Sequence, residues 1–153
     1  RLALARSFGA DITLDIAQYT PEERIRAVRE ATAGRGADIT IEATGVASAV
    51  AEGFQFTRNA GTFVVVGQYT DAGPITVNPH LEINQPHLQI RGCWGSDLGH
   101  LYRGLRIMAR YANHYPWQDM ITSQHALTDT ASALSAAERQ QSIKALILPN
   151  GTL

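Results

Sequence analysis

Two apolar runs that each end in a glycine turn constrain the fold of this chain more than any other feature. Residues 39–41 lead into the turn 42–45, which ends in glycine, and residues 62–66 are followed directly by Gly67. Apolar runs of this length are typical of strands that are buried on both faces of a parallel sheet. Ligands of such sheets bind outside the carboxyl ends of the strands, where glycine lets the backbone come close. The pattern therefore indicates a nucleotide site formed by two neighbouring turns.

Helix and strand patterns alternate around these turns. Residues 20–23 form a capping box with proline at the first helical position, which predicts a helix that ends near Gly34. Strands are predicted over residues 37–42 and 62–66, with a helix over 46–57 between them. This order implies right-handed crossovers and parallel pairing. We therefore predict an α/β fold with a doubly wound parallel sheet.

Further elements are predicted on either side of this unit. They are a helix end before Gly9, strands over 11–16 and 87–93, a short edge strand over 75–77, a helix from its cap Ser96 to about residue 112, a helix over 128–137 capped by Thr128, and a strand over 143–148. Leu98, Leu101, Leu105 and Met108 repeat at helical spacing, so we expect them to face the core.

Composition and charge exclude several classes of function. The 153 residues carry a formal net charge of -1, which leaves no basic face for nucleic acid or for an anionic membrane. The single cysteine, Cys93, excludes an internal disulfide and a multi-cysteine zinc site within these residues. No apolar run approaches the length of a membrane span. We expect a chain of the reducing cytoplasm.

Three candidate residues have both a structural and a functional interpretation. Trp94 follows the predicted strand 87–93 and either walls a pocket or packs in the core. Lys144 stands in an otherwise apolar strand, where its amine reaches solvent or meets a phosphate. No histidine stands at the distance in sequence from Cys93 that a motif for a cysteine nucleophile would require. The five histidines are not spaced as the ligands of a zinc-binding motif are. We therefore predict neither a cysteine nucleophile nor a metal centre within these residues.

The order of the junctions resembles the zinc-dependent medium-chain alcohol dehydrogenases. The likeness is carried by residues 1–11, 36–38, 42–45, 61–67, 78–79, 90–92 and 142–145. In that family a nicotinamide cofactor lies across a Rossmann sheet, and a zinc-bound alcohol gives its hydride to the nicotinamide ring. The resemblance implies that the chain begins after the family's second strand. We then expect the glycine fingerprint, the ribose-binding residue and every zinc ligand in a missing N-terminal part of a longer parent protein.

The resemblance also implies that this chain forms walls of an NAD or NADP site. The expected cofactor-binding residues are Arg1, Ala43, Thr44, Gly45, Val66, Gly67, Gln68, Cys93, Trp94 and Lys144. Arg1 would approach the adenosine ribose, residues 43–45 would lie beside the adenosine and nicotinamide ribose, and the backbone of 66–68 would hold the nicotinamide carboxamide. The turn at Cys93 and Trp94 would also help to hold the carboxamide, and Trp94 would face the substrate as well. Lys144 would pair with the pyrophosphate. No residue of this chain is expected to be catalytic.

Domain organisation and function follow from the same resemblance. Residues 1–113 would be the C-terminal two-thirds of an incomplete Rossmann domain, and residues 114–153 would return toward the missing catalytic domain. The parent would transfer a hydride between a small-molecule alcohol or carbonyl and NAD(P), with zinc as Lewis acid, while the isolated chain would be inactive. Subunits would pair through the edge strand near Ile75–Asn78. Two alternatives stay open: a stand-alone, non-catalytic nucleotide-binding module, and a zinc-free quinone reductase of the same superfamily.

Overall fold

The computed structural model describes residues 1–151, which form two compact units. One unit consists of residues 14–96, and the other combines residues 1–13 with the chain from Asp97 onward. Parallel strands and helices occur in both units, so the predicted α/β class is confirmed. Residues 152–153, the end of the predicted segment 114–153, lie outside the described residues. The domain boundary at residue 113 stays a prediction.

The helices and strands are named here in chain order. They are α1 (Leu2–Ser7), α2 (Pro21–Ala31), β1 (Ala37–Glu42), α3 (Ala47–Phe56), β2 (Thr57–Val65), β3 (Gln89–Gly92), α4 (Leu98–Arg110), β4 (Ile121–Ala126), α5 (Thr130–Glu138) and β5 (Lys144–Leu148). A π-helical turn covers His80–Asn84, and 3-10 turns cover Trp117–Met120 and Leu127–Asp129. None of the helices within residues 1–151 has both the length and the apolar character needed to cross a bilayer.

The sheet of the first unit has the strand order β1-β2-β3, and both strand pairs are parallel. Its register aligns the last residues of the three strands, with Glu42 beside Val65 and Val65 beside Gly92. Because parallel strands run in the same direction, the turns that follow them leave the sheet at one edge. The two glycine turns predicted from the sequence therefore lie next to each other.

A small aromatic core supports this sheet. Phe63 of β2 is fully buried and meets Phe54 of α3 edge to face, with ring centroids 4.9 Å apart. Leu88 completes the cluster. Gly53 lets α3 approach β2 closely, because a Cβ at that position would lie 2.3 Å from the Phe63 ring. The packing of α3 on β2 thereby fixes the strand that carries the second glycine turn.

The predicted capping box at the start of α2 is confirmed. The Thr20 hydroxyl accepts a hydrogen bond from the Glu23 N–H at 3.3 Å, and the Glu23 carboxylate accepts one from the Thr20 N–H at 2.8 Å. Arg24, in the first turn of α2, donates two hydrogen bonds to Glu52 of α3, at 2.6 and 2.9 Å. This bidentate ion pair joins the two helices.

The second unit contains a two-stranded parallel sheet, β4-β5. Helix α5 packs on this sheet through Ala133, which is buried. The strand predicted over 143–148 is β5 and begins one residue later, at Lys144. Strand β4 was not predicted, because its sequence mixes polar and apolar residues without strict alternation.

Two predicted strands are wrong for this chain. Residues 11–16 pair with no strand among the described residues, and they lead into a turn in which the Asp15 carboxylate accepts from the Ala17 N–H at 3.0 Å. Ile75 and Val77 lie in irregular chain, half-buried against the Phe54–Phe63–Leu88 cluster. Apolar alternation predicts which side chains share a face, but a strand also needs a neighbour to bond to. Pairing of this segment with a second copy stays a prediction.

The predicted cap and core contacts of α4 are also wrong. Asp97, not Ser96, caps the helix, because its carboxylate accepts from the His100 N–H at 2.9 Å. Leu98 is 83% exposed, and Leu101, Leu105 and Met108 are exposed with it. Helical spacing places these side chains on one face, whereas burial needs a second layer against that face. At α5, similarly, the predicted cap Thr128 lies within a 3-10 turn that precedes the helix.

Candidate functional site

The candidate site lies at the carboxyl edge of the β1-β2-β3 sheet. We define this carboxyl edge as the three turns 43–45, 66–68 and 93–94, which directly follow β1, β2 and β3. Backbone hydrogen bonds hold them together: the N–H groups of Val66 and Gly67 donate to the Glu42 carbonyl at 2.9 and 3.0 Å. The Cys93 N–H donates to the Val65 carbonyl at 3.0 Å. Eight of the ten predicted cofactor-binding residues meet here.

Glu42, the last residue of β1, has the most connected side chain at this edge. One carboxylate oxygen, Oε1, accepts from the Thr44 N–H at 2.6 Å, the Thr44 hydroxyl at 2.7 Å and the Gly45 N–H at 3.0 Å. The other oxygen, Oε2, accepts from the Gly67 N–H at 3.2 Å and the Gln68 side-chain amide at 3.3 Å. The carboxylate is therefore shared by the turns after β1 and β2.

Burial and hydrogen bonding act on Glu42 in opposite directions. Glu42 is only 4% exposed, and desolvation on its own raises the pKa of the carboxyl by disfavouring the charged form. Hydrogen bonds from Thr44, Gly45 and Gln68 stabilise the carboxylate, and together they hold its pKa below the ordinary value. Glu42 is therefore a buried anion that is stabilised by hydrogen-bond donors.

Gly45 and Gly67 allow the first two turns to approach each other. A Cβ on Gly67 would lie 2.6 Å from the Gly45 nitrogen, and 2.7 Å from both the Thr44 nitrogen and Glu42 Oε1. Gly45 has a φ of +74°, and a Cβ there would lie 3.1 Å from the Gly67 carbonyl oxygen. The predicted need for glycine thus has a specific cause, since a side chain at Gly67 would enter the space of the neighbouring turn.

An aromatic pair lies beside the turns and lines a cleft. The rings of Tyr69 and Trp94 are stacked, with centroids 5.2 Å apart and planes inclined by 18°. Trp94 is 78% exposed, so its interpretation as a core residue is wrong, and it forms part of the wall of a cleft of about 410 Å³. The other lining residues include Ala47, Val50, Gln68 and Ile75. The cleft is therefore open to a ligand and has one aromatic wall.

Arg1 and Lys144 belong to the other unit. Arg1 lines a cavity of about 430 Å³ together with Phe8 and Trp117. Lys144 is exposed at the start of β5, beside Ile121 of β4. The lysine amine therefore reaches solvent, and the expected contacts of Arg1 with ribose and of Lys144 with pyrophosphate stay predictions.

Two residues of this site were missed by the sequence reasoning. Glu42 carried a usable signal, since an acidic residue at the end of an apolar strand and directly before a glycine turn is costly to bury unless donors surround it. Tyr69 carried no such signal, because its pairing with Trp94 joins residues from different turns.

The described residues fit a nucleotide better than they fit a metal. Residues 1–151 contain no group of three His, Cys, Asp or Glu side chains placed to hold a metal ion. By contrast, the carboxyl ends of parallel strands are where open sheets bind nucleotides, and a cleft opens beside the turns at this edge.

Comparison with known proteins places the chain in a family. A family model described as zinc-binding dehydrogenase matches residues 1–110. The 5-exo-hydroxycamphor dehydrogenase of Pseudomonas putida is 33% identical over 147 residues, which are 96% of this chain and 40% of that protein. The erythritol/L-threitol dehydrogenase of Mycolicibacterium smegmatis is 28% identical over 156 residues, covering 97% of this chain and 39% of that protein.

A solved structure agrees with these relatives. The crystal structure of an alcohol dehydrogenase from Thermotoga maritima matches with a TM-score of 0.89 and 30% identity, covering 97% of this chain and 40% of that one. The chain thus spans about 40% of the length of the relatives that it matches. Because the family model matches more than half of the residues of this chain, the chain belongs to the zinc-binding dehydrogenase family.

Proposed function

We propose that this chain is part of an oxidoreductase that transfers a hydride between an alcohol and NAD or NADP. The carboxyl edge of its sheet would contribute the part of the site that holds the nicotinamide half of the cofactor. Since the chain spans about 40% of its relatives, the activity is proposed for the full-length protein, and the isolated chain is expected to be inactive.

The observation that carries this proposal is the close approach of the turns after β1 and β2. In an open parallel sheet, a dinucleotide binds outside the carboxyl ends of the strands, where backbone must come near the ligand. Gly45 and Gly67 provide such backbone, and Glu42 holds it in place through donors from both turns.

Each turn has a separate role in this proposal. Residues 43–45 lie beside the adenosine and nicotinamide ribose, and the backbone of residues 66–68 holds the carboxamide of the nicotinamide. Cys93 and Trp94 close the same end, where the exposed indole of Trp94 also faces the substrate. The bound cofactor accepts or donates the hydride, and the protein's part is to fix the ring in the reacting orientation. In the other unit, Arg1 and Lys144 are proposed to meet the adenosine ribose and the pyrophosphate.

Zinc is proposed to be held by other parts of the full-length protein. The residues described here provide no ligand set for it, so no step of the reaction is assigned to a metal on this chain. The substrate is proposed to be a small-molecule alcohol or the matching carbonyl compound, in a cytoplasmic protein that binds neither nucleic acid nor membrane. Residues 1–113 would belong to the cofactor domain, residues 114–153 would pack on a catalytic domain, and two copies would pair near Ile75–Asn78.

The test measures cofactor binding and turnover of the full-length protein. We expect purified protein to bind NADH or NADPH, with enhanced nicotinamide fluorescence, to reduce the oxidised cofactor in the presence of an alcohol, and to contain zinc. Binding and activity without zinc would favour a zinc-free quinone reductase, and binding without turnover would favour a stand-alone nucleotide-binding module. Failure to bind either cofactor would refute the proposal.

Two glycine variants locate the cofactor on this chain. Gly45→Ala introduces a Cβ 3.1 Å from the Gly67 carbonyl, at a φ of +74°. Gly9→Ala is its matched control, because Gly9 has a φ of +97° but no atom within 4 Å of the added Cβ. We expect Gly45→Ala to weaken NAD(P)H binding roughly 10-fold through displacement of the turn, and Gly9→Ala to leave it unchanged. Equal effects in both variants would place the cofactor elsewhere.

A further inference from the structure

We propose that Glu42 is a positioning residue for the nicotinamide half of the cofactor. Its carboxylate bridges the turn after β1 to the turn after β2 and sets the distance between them. This inference rests on the proposed function, because it concerns how the same site is held. Glu42 is not among the cofactor-binding residues that the family resemblance implies, and its side chain acts through the two turns.

Each carboxylate oxygen of Glu42 accepts hydrogen bonds from a different turn. Oε1 receives the three donors of the turn after β1, which come from Thr44 and Gly45. Oε2 receives the two donors of the turn after β2, which come from Gly67 and Gln68. A single rigid group thus contacts both walls of the proposed nicotinamide site, and a shift of either wall breaks bonds to one of its oxygens.

Only an ionised carboxylate satisfies this arrangement. Three of the donors to Glu42 are backbone N–H groups, of Thr44 and Gly45 at Oε1 and of Gly67 at Oε2, and these cannot accept, so each of the two oxygens faces a group that requires an acceptor. A glutamine would present one oxygen and one NH₂ group, and the NH₂ would face donors from one turn or the other. Since the oxygen would remain with the turn that has more donors, Glu42→Gln is expected to release the turn after β2.

No basic side chain competes for the Glu42 carboxylate within the described contacts. The other charged residues that line the cavity beside it are Arg24 and Glu52, which form a bidentate pair with each other. The charge of Glu42 is therefore balanced by backbone and side-chain donors of the site itself. Hydrogen bonds to a buried charge are stronger than those between neutral groups, so the bridge holds the turns firmly.

The consequence is an effect on one half of the cofactor only. The turn that Glu42→Gln is expected to release, residues 66–68, lies at the proposed nicotinamide carboxamide, whereas the turn after β1, which is also proposed to lie beside the adenosine ribose, keeps its hydrogen bonds. The rest of the adenosine half of a dinucleotide binds at the other half of a doubly wound sheet. Loss of the bridge should therefore weaken binding of NAD(P)H and leave binding of 5′-AMP unchanged. A general loss of folding would weaken both ligands together.

The experiment compares the dissociation constants of NAD(P)H and 5′-AMP in the full-length protein and its variants. For Glu42→Gln we expect the NAD(P)H dissociation constant to rise roughly 10- to 100-fold, from the loss of charge-assisted bonds to the turn after β2, with no change for 5′-AMP. Glu30→Gln is the control: it makes the same chemical change at an exposed carboxylate of α2 that bonds to neither turn, and the ratio of the two constants should stay as in the wild type.

A second variant decides the matter if Glu42→Gln does not fold. Gln68→Met removes one donor to Oε2 while keeping the Glu42 charge and the backbone of residues 66–68. We expect this variant to raise the NAD(P)H constant roughly 3- to 10-fold, with 5′-AMP unaffected. An unchanged ratio of the two constants in whichever of these variants folds would overturn the inference. A wild-type protein that binds 5′-AMP but neither NADH nor NADPH would instead refute the proposed function.

Discussion

Substitution of Gly67 by alanine should loosen the carboxyl edge, whether or not a cofactor is bound. The added Cβ would lie 2.6 Å from the Gly45 nitrogen and 2.7 Å from Glu42 Oε1. Two of the three nearest atoms are backbone and the third belongs to a buried carboxylate, so none can rotate away. The turns after β1 and β2 must therefore separate.

The size of the effect follows from the hydrogen bonds that this movement breaks. Restoring ordinary contact at 3.4 Å requires a separation of about 0.8 Å, which would carry the Gly67 and Gln68 donors beyond hydrogen-bonding distance of Oε2. Hydrogen bonds to a charged group contribute about 1.5–3 kcal/mol each. Because the Gly67 N–H also bonds to the Glu42 carbonyl and the turns can partly relax, we expect the local free energy of opening to fall by about 2–3 kcal/mol.

Amide hydrogen exchange measures this local stability directly. The amides of Gly45 and Gly67 should exchange roughly 30- to 150-fold faster in Gly67→Ala, which is the rate change that corresponds to the expected loss. Gly92→Ala is the control: Gly92 lies beside Val65 at the same edge of the sheet, and an added Cβ there meets no atom within 4 Å. Unchanged exchange in Gly67→Ala, or equal acceleration in both variants, would refute the reasoning.

Two further predictions concern stability. Gly53→Ala gains about 1 kcal/mol of helix propensity but places a Cβ 2.3 Å from the fully buried Phe63 ring, so overpacking of about 1–3 kcal/mol should lower the melting temperature in calorimetry. Gly104→Ala, with open space around the added Cβ, should raise it instead, and a rise in both would contradict the packing argument. The pKa of Glu42 is lowered in the folded chain, so its stabilising contribution is complete above its ordinary pKa of about 4.3 and disappears as the pH falls through the lower folded value. As the pH is lowered below the ordinary pKa of glutamate, the urea concentration at the midpoint of unfolding should therefore fall more steeply for the wild type than for Glu42→Gln. Parallel curves of midpoint against pH would show that the carboxylate does not stabilise the fold.

Elements defined by local chemistry could be predicted from the sequence. The capping box at Thr20 and Glu23 specifies the start of α2 through contacts only three residues apart. Strand β1 was predicted with its observed bounds, because a short apolar run between glycine turns has few other uses in an α/β chain. Gly45 and Gly67 could be named for the same reason, since their turns follow the strands directly.

Most of the predictions that failed depended on a distant partner. Residues 11–16 and 75–77 have the alternation of strands, but no described strand lies beside either segment to complete a ladder. The apolar face of α4 was predicted correctly as a face, but its burial depends on a layer that helical spacing does not specify. Asp97 replaced Ser96 as the cap because the choice between adjacent capping residues depends on where the chain turns.

The sequence by itself determined the α/β class, the parallel strands with their glycine turns, and the family. These properties follow from periodicity, local capping and the order of motifs along the chain. Only the tertiary structure decided that Glu42 is a buried carboxylate shared by two turns, and that Tyr69 stacks on the exposed Trp94. The physical reason is that desolvation and hydrogen-bond partnership are properties of a neighbourhood. Glu42 and Gly67 are 25 positions apart in sequence, and they become neighbours only through the register of the sheet.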